Sequence, residues 1–228
     1  MCTVTYIPSK EGFIFTSSRD ERYDRRKTEF PITQNKLVFP RDYEAKGTRI
    51  ASNKQQLCCL LNGAFNKHER KDHYKKSRGL MLLDSFLFDS ITDFLNQYDF
   101  NNMEPFTLVC VDSNHVHEIR WDEVRIYHTK KSLLDRHIWS SCTLYTSEIM
   151  TQREVAFSEW HQKSSIGIDT NYARDFHYTS GKDDPLNAVF LKRETKGTIS
   201  ITSIEQTKDT RSIIYDDLEN GVQTFEIK

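Results

Sequence analysis

Nowhere does the chain carry an apolar run near the roughly 18 to 20 residues that a helical membrane span requires, so no span is expected. Charge of one sign is missing too. The formal net charge is −1, which removes any overall pull toward nucleic acid or an anionic membrane. The opening Cys2-Thr3-Val4-Thr5-Tyr6-Ile7 has neither a basic start nor an apolar signal core, and Pro8-Ser9-Lys10-Glu11 soon interrupts it, so no secretion signal is read. Cysteines are few and odd in number: Cys2, Cys58, Cys59, Cys110 and Cys142. Cys58 and Cys59 are neighbours that would point to opposite faces of a strand. A disulfide framework is therefore not expected, and a reducing cytoplasm is the default setting. Internal repeats, low-complexity tracts and linkers are likewise not found. What is present is 228 residues, 37% hydrophobic and 29% charged, with ten Tyr and fourteen Phe supplying much of the apolar bulk. That composition suits a single soluble globular domain over residues 1–228.

The ends of the chain read as strands and the middle as helices. Residues Cys2–Pro8 alternate and are rich in β-branched and aromatic side chains, Lys10-Glu11-Gly12 is a turn, and Phe13–Ser18 is a second strand. A hairpin returns to where it began, so Cys2 and Arg19 are expected to be neighbours in space. Residues Arg22–Arg41 carry mixed charge and two prolines and read as a surface loop with a short strand at Leu37–Phe39. Thr48–Ser52 and Gln56–Leu61 form another hairpin, whose second arm is apolar on both faces and ends at Asn62-Gly63. Helices are expected over Leu80–Phe88, Ile91–Tyr98, Ile149–Gln162 (with Val155, Ala156 and Trp160 at helical spacing) and Asp169–Tyr178. Phe106–Val111 and Val116–Trp121 read as a hairpin through Asp112-Ser113-Asn114, followed by a short strand at Arg125–Tyr127. Strands close the chain at Asn187–Lys192, Thr198–Ile204, Ile213–Tyr215 and Val222–Ile227, the first two joined by a turn at Lys196-Gly197. This order predicts an α+β layered fold rather than a doubly wound sheet.

The second residue carries the sharpest chemical signal. Once Met1 is removed, Cys2 holds a thiol with a pKa of about 8.5 and a chain amine of about 7.7–8.0. Nucleophile and base then share one residue, and no histidine is needed. The other polar groups read more plainly. His68, His73, His115 and His117 lack the Cys or acid pattern of structural zinc and read as surface residues, with no metal expected. The basic Lys67–Arg78 segment reads as a solvated loop. Cys58, Cys59 and Cys110 read as inert core thiols.

Met-Cys followed by strand, turn, strand and Ser18-Arg19-Asp20-Glu21 resembles the NRDE family, which includes the animal transport-and-Golgi-organisation type 2 proteins and many bacterial proteins. The tetrad departs from the family in its first letter, Ser for Asn. Gly47-Thr48 through Leu60-Leu61-Asn62, Ser77-Arg78-Gly79 before a helix, and Asn187–Glu205 continue the resemblance over most of the chain. The family resembles cysteine N-terminal nucleophile hydrolases such as penicillin V acylase and bile salt hydrolase. The resemblance implies a four-layer αββα sandwich and attack by the Cys2 thiol on a non-peptide amide. Arg19 matches the arginine that sits against the cysteine, and Asp20 or Glu21 matches the acid. A fixed cation beside a thiol favours the thiolate. Asn62 can serve as an oxyanion donor, or simply as a turn residue. Ser141 and Asn187 are further candidates for contact with substrate, although relatives carry Asn where Ser141 stands. Arg193 or Arg211 would fill the subgroup's late arginine. No external cofactor is implied. The resemblance also implies a second class of role, because animal relatives are linked to haem movement, lipid metabolism and secretory organisation: a haem or acyl-ligand binding and trafficking protein.

Overall fold

A computed structural model describes residues 2–25, 28–162 and 168–227. The expected trimming of Met1 therefore concerns a residue outside those described. Along the chain come strands β1 (Cys2–Pro8), β2 (Phe13–Arg22), β3 (Thr28–Gln34), β4 (Leu37–Asp42), β5 (Ile50–Ser52) and β6 (Leu57–Asn62). Helices α1 (Arg78–Asp84) and α2 (Ile91–Gln97) follow, then β7 (Phe106–Val111), β8 (Val116–Trp121), β9 (Ile126–Lys131) and β10 (His137–Ser140). Helices α3 (Ser147–Gln162) and α4 (Thr170–Thr179) precede β11 (Lys196–Gln206), β12 (Arg211–Asp217) and β13 (Gly221–Glu226). Both sheets pair antiparallel throughout, which gives an α+β fold dominated by strands.

The chain divides into two compact units, one of Met1–Arg26 with Leu134–Lys228 and the other of Lys27–Leu133. The first holds a six-stranded sheet in the order β10-β1-β2-β11-β12-β13. Strand β2 lies inside it, paired from Phe13 to Arg19 with β1 and from Phe13 to Arg22 with β11. One sheet face carries Ile7 and Ile14, and α3 and α4 bury Phe157, Ala173 and Phe176 against them. Helix α4 starts where the Asp169 carboxylate accepts from Tyr172 N at 2.7 Å, and its buried Thr170, Ala173, Phe176 and His177 recur every three to four residues.

The second unit is a seven-stranded meander, β3 through β9 in sequence order. Helices α1 and α2 cover a face of it, with Met81, Leu82 and Phe94 against Leu60, Phe106 and Leu108. Two of the sequence motifs meet here backbone to backbone. Thr48 N donates to Gly79 O at 3.2 Å, and a Cβ on Gly47 would lie 2.6 Å from the Gly79 carbonyl carbon. Glycine at both positions is what permits that approach. Ser77 caps α1 by accepting from Leu80 N at 3.3 Å.

Four expectations are corrected. The segment read as a surface loop is the β3–β4 hairpin, turning on Asn35 and Lys36, both at positive φ. Pro31 and a register irregularity between Glu29 and Ile32 broke its alternation, and an edge strand tolerates both. Asn187–Lys192 is not a strand; only an isolated bridge joins Lys192 to Gly197. In α3 the buried side chains are Arg153 and Phe157, while Val155 is 52% exposed. Cys58 and Cys110 are not separate core thiols. They are register partners on β6 and β7, with Cα atoms 4.2 Å apart, and their sulfurs are joined. Neighbouring antiparallel strands bring directly opposed residues that close. Cys59 and Cys142 are buried.

Candidate functional site

The expected juxtaposition at the start of the chain holds: β1 and β2 pair with Cys2 opposite Arg19 and Thr3 opposite Ser18. On the other side of β1, Thr3 pairs with Ser140 of β10, so buried Ser141 is one residue beyond that level. The Ser141 hydroxyl lies 3.1 Å from Thr143 Oγ1, and its carbonyl accepts from Leu144 N and Tyr145 N.

Alternation along β2 separates the two candidate acids. Arg19 and Glu21 fall on one face, Ser18 and Asp20 on the other. Asp20 is 1% exposed. One carboxylate oxygen accepts from Tyr145 Oη at 2.9 Å and the other from Thr198 Oγ1 at 2.7 Å. Burial raises its pKa above the usual carboxylate range, against the pull of those two hydrogen bonds and the Arg153 charge. Thr198 also accepts from Leu191 N at 2.8 Å, so Asp20 ties β2 to β11 and to the turn before it. Glu21 is buried as well, and its carboxylate accepts from Arg22 N at 3.0 Å.

Arg153 is a residue that the sequence reading missed. It is 4% exposed, and its guanidinium carbon sits 3.6 Å from the Tyr145 ring centroid. One terminal nitrogen donates to Thr3 Oγ1; the other donates to the carbonyls of Asn187, at 2.8 Å, and Ala188. A buried arginine thus links the residue after Cys2 to the 187–188 loop. Its Nε has no hydrogen-bond partner among the described residues. A cleft passes this group, walled by Ile149, Ala156 and Val189 with Gln152 and Asn187 at its polar edge. Asn187 itself donates to Asp184 Oδ2 at 2.8 Å. Arg153 and Phe157 sit four apart on α3, and that i, i+4 spacing was the one available signal.

His177 was missed for a similar reason. It is fully buried, with Nε2 2.9 Å from Thr5 Oγ1 and Nδ1 2.7 Å from Ser18 Oγ. Burial, helped by the Arg153 charge, lowers its pKa to about 3, so the ring is neutral. Ser18, the departure from the family tetrad, is therefore held by a histidine of α4.

Asn62 belongs to the second unit, where its Oδ1 accepts from Arg49 Nη1 at 3.4 Å. Arg193 donates to Leu186 O, and Arg211 donates to Gln206 Oε1 at 2.6 Å, so each stabilises a turn. Arg78, at the end of the basic segment, is an exception to the solvated reading, pairing with Glu104 at 3.1 Å and Pro105 O at 2.8 Å. The surface reading of the histidines fails at His117, which is 3% exposed. Among the described residues no helix is long and apolar enough to cross a membrane.

A family model described as Transport and Golgi organisation 2 matches residues 1–184. No curated protein matches the chain.

Proposed function

The chain belongs to the Transport and Golgi organisation 2 family, and from that membership we propose that it hydrolyses a non-peptide carbon–nitrogen amide bond in a small molecule, with Cys2 as nucleophile. The pairing of Cys2 with Arg19 across the first hairpin carries this reading. Removal of Met1 frees the amine of Cys2, which takes the thiol proton. Arg19 favours the thiolate. Attack of sulfur on the amide carbonyl forms a tetrahedral oxyanion, which hydrogen-bond donors stabilise. Collapse breaks the C–N bond, the leaving amine takes the proton back, and a thioester remains on Cys2. Water then attacks the thioester, releasing the acid and restoring the thiol.

Of the two acids, Asp20 is the better supported partner, because its contacts to Tyr145 and Thr198 brace the strand that presents Arg19. Glu21 shares the face of Arg19 and keeps a direct role open to test. Ser141 and Asn187 are proposed to contact substrate. The four-layer αββα arrangement, the reading of residues 1–228 as one domain, and a cytoplasmic setting belong to the same proposal. Intact-mass analysis after treatment with a thiol-reactive acyl probe tests it, reporting Met1 loss and Cys2 acylation together. Cys2→Ala is expected to abolish both labelling and amide hydrolysis while the protein stays folded. Equal turnover by wild type and Cys2→Ala on an amide that the protein cleaves excludes the mechanism.

One observation favours a second reading, in which the protein binds haem or an acyl group without turning it over. The α3 cleft has an apolar wall of Ile149, Ala156 and Val189 beside the Arg153 side chain, a setting suited to an apolar ligand. Spectral titration with haem and competition with acyl-CoA test it. Saturable binding that persists in Cys2→Ala supports this role over hydrolysis.

A further inference from the structure

We infer that the β7–β8 turn is a binding site for a zinc-class divalent metal ion, held by Asp112, His115 and His117. The site lies in the meander of the second unit and uses no residue of the proposed nucleophile.

The turn is built to hold a carboxylate still. Asp112 Oδ1 accepts from Asn114 N at 2.8 Å and from His115 N at 2.9 Å, while Asp112 N donates to His115 O at 3.2 Å. The second oxygen, Oδ2, is thereby presented to His117 Nε2 at 2.9 Å. His115, the last residue of the turn, and His117, the second of β8, have ring centroids 5.8 Å apart. One ligating atom from each of the three residues lies within 4.8 Å of the others. A tetrahedral ion with bonds of about 2.1 Å needs its ligands about 3.4 Å apart. Small side-chain rotations close that difference.

A second feature points to an ion rather than to turn support alone. The other nitrogen of His117, Nδ1, lies 2.9 Å from Nε2 of His128, with the two ring planes 16° apart. Each contact of His117 requires one proton. Without metal, neutral rings satisfy both when His117 Nε2–H donates to Asp112 and His128 Nε2–H donates to His117 Nδ1. With metal on His117 Nε2, the proton moves to His117 Nδ1 and donates to His128 Nε2, and His128 carries its own proton on Nδ1. Both rings change tautomer and the number of protons is unchanged. His128 then orients His117 as outer-shell partners orient metal-ligating histidines. Two imidazoles with one carboxylate suit zinc and its neighbours better than calcium or magnesium, and leave a fourth position for water. Lys130, the register partner of His117, is exposed, so its ammonium can turn to solvent.

The test uses the full-length protein stripped with chelator. Zn²⁺ is titrated in competition with a chromogenic chelator, and Co²⁺ serves as spectroscopic surrogate. One Zn²⁺ per chain is expected, with a Co²⁺ spectrum free of thiolate charge transfer. His115→Ala and Asp112→Asn should each weaken binding at least tenfold, and His128→Phe by about 10- to 100-fold as an outer-shell change. His115→Ala leaves the Asp112–His117 contact in place, and unchanged circular dichroism shows that it folds. The inference is overturned by absence of saturable Zn²⁺ binding at micromolar metal. It is equally overturned if Zn²⁺ affinity is unaltered in both His115→Ala and Asp112→Asn, or if binding is lost in Cys2→Ala instead.

Discussion

His177 and Arg153 concentrate the energetic consequences of burying polar side chains around the chain start. Because burial lowers the folded pKa of His177 to about 3, the unfolded chain binds a proton that the folded chain refuses at every pH between about 3 and the ordinary ~6.5. Stability from this group is therefore full above about 6.5 and lost as pH falls through that window. Asp20, raised by burial, acts with the opposite sign, so the clean comparison is wild type against His177→Gln. Going from pH 6.5 to pH 5, the wild type should lose up to about 2 kcal/mol more than the variant. Denaturant unfolding at the two pH values measures this, and identical slopes count against a neutral buried ring. Arg153→Lys keeps the charge but cannot reach Thr3 and the 187–188 carbonyls together. It should cost about 1.5–3 kcal/mol and, under the proposed chemistry, slow acylation of Cys2. The Cys2–Arg19 pairing was legible because a short turn fixes hairpin register by counting. Arg153 and His177 were not, because their partners lie in distant parts of the chain.

Elements show the same division. The Gly47-Thr48 and Ser77-Arg78-Gly79 motifs looked like separate local signals, and the fold stacks them. A Cβ at Gly79 would meet Thr48 O at 2.9 Å and Thr48 N at 3.0 Å, both backbone atoms that cannot swing away. Gly79→Ala should therefore destabilise by about 1–3 kcal/mol, the range for overpacking. The midpoint of thermal or denaturant unfolding checks it. Ser77→Ala, which removes only the cap, should cost about 1 kcal/mol. A Gly79→Ala effect smaller than that of Ser77→Ala would contradict the close approach. Strands and helices with clean periodicity were readable, but β3 was hidden by a proline that only an edge position tolerates. The i, i+4 burial on α3 was hidden because its leading residue is an arginine.

The whole molecule returns on itself: the last third of the chain completes the sheet that the first residues begin. Strand β11 pairs with β2 from Gln206 to Lys196, covering the side of β2 that β1 leaves open. The family match ends at residue 184, before β11, β12 and β13. Truncation at residue 195 should leave β10-β1-β2 with an open, partly apolar edge and Asp20 without its Thr198 partner. Loss of cooperative unfolding or aggregation on size-exclusion chromatography is expected. A truncated chain that melts like the full one would show that β11 is dispensable.

Composition, alternation and the opening Met-Cys motif were enough to establish the α+β class, the family and the first hairpin. Each of these depends on contacts between residues near in sequence or on a pattern carried by the residues themselves. Where Asp20, Arg153, His177 and His117 send their polar atoms, and that β11 pairs with β2 on the side away from β1, came only from the folded chain. A buried polar group needs a partner, and those of Asp20, Arg153 and His177 come from strands and helices far along the chain.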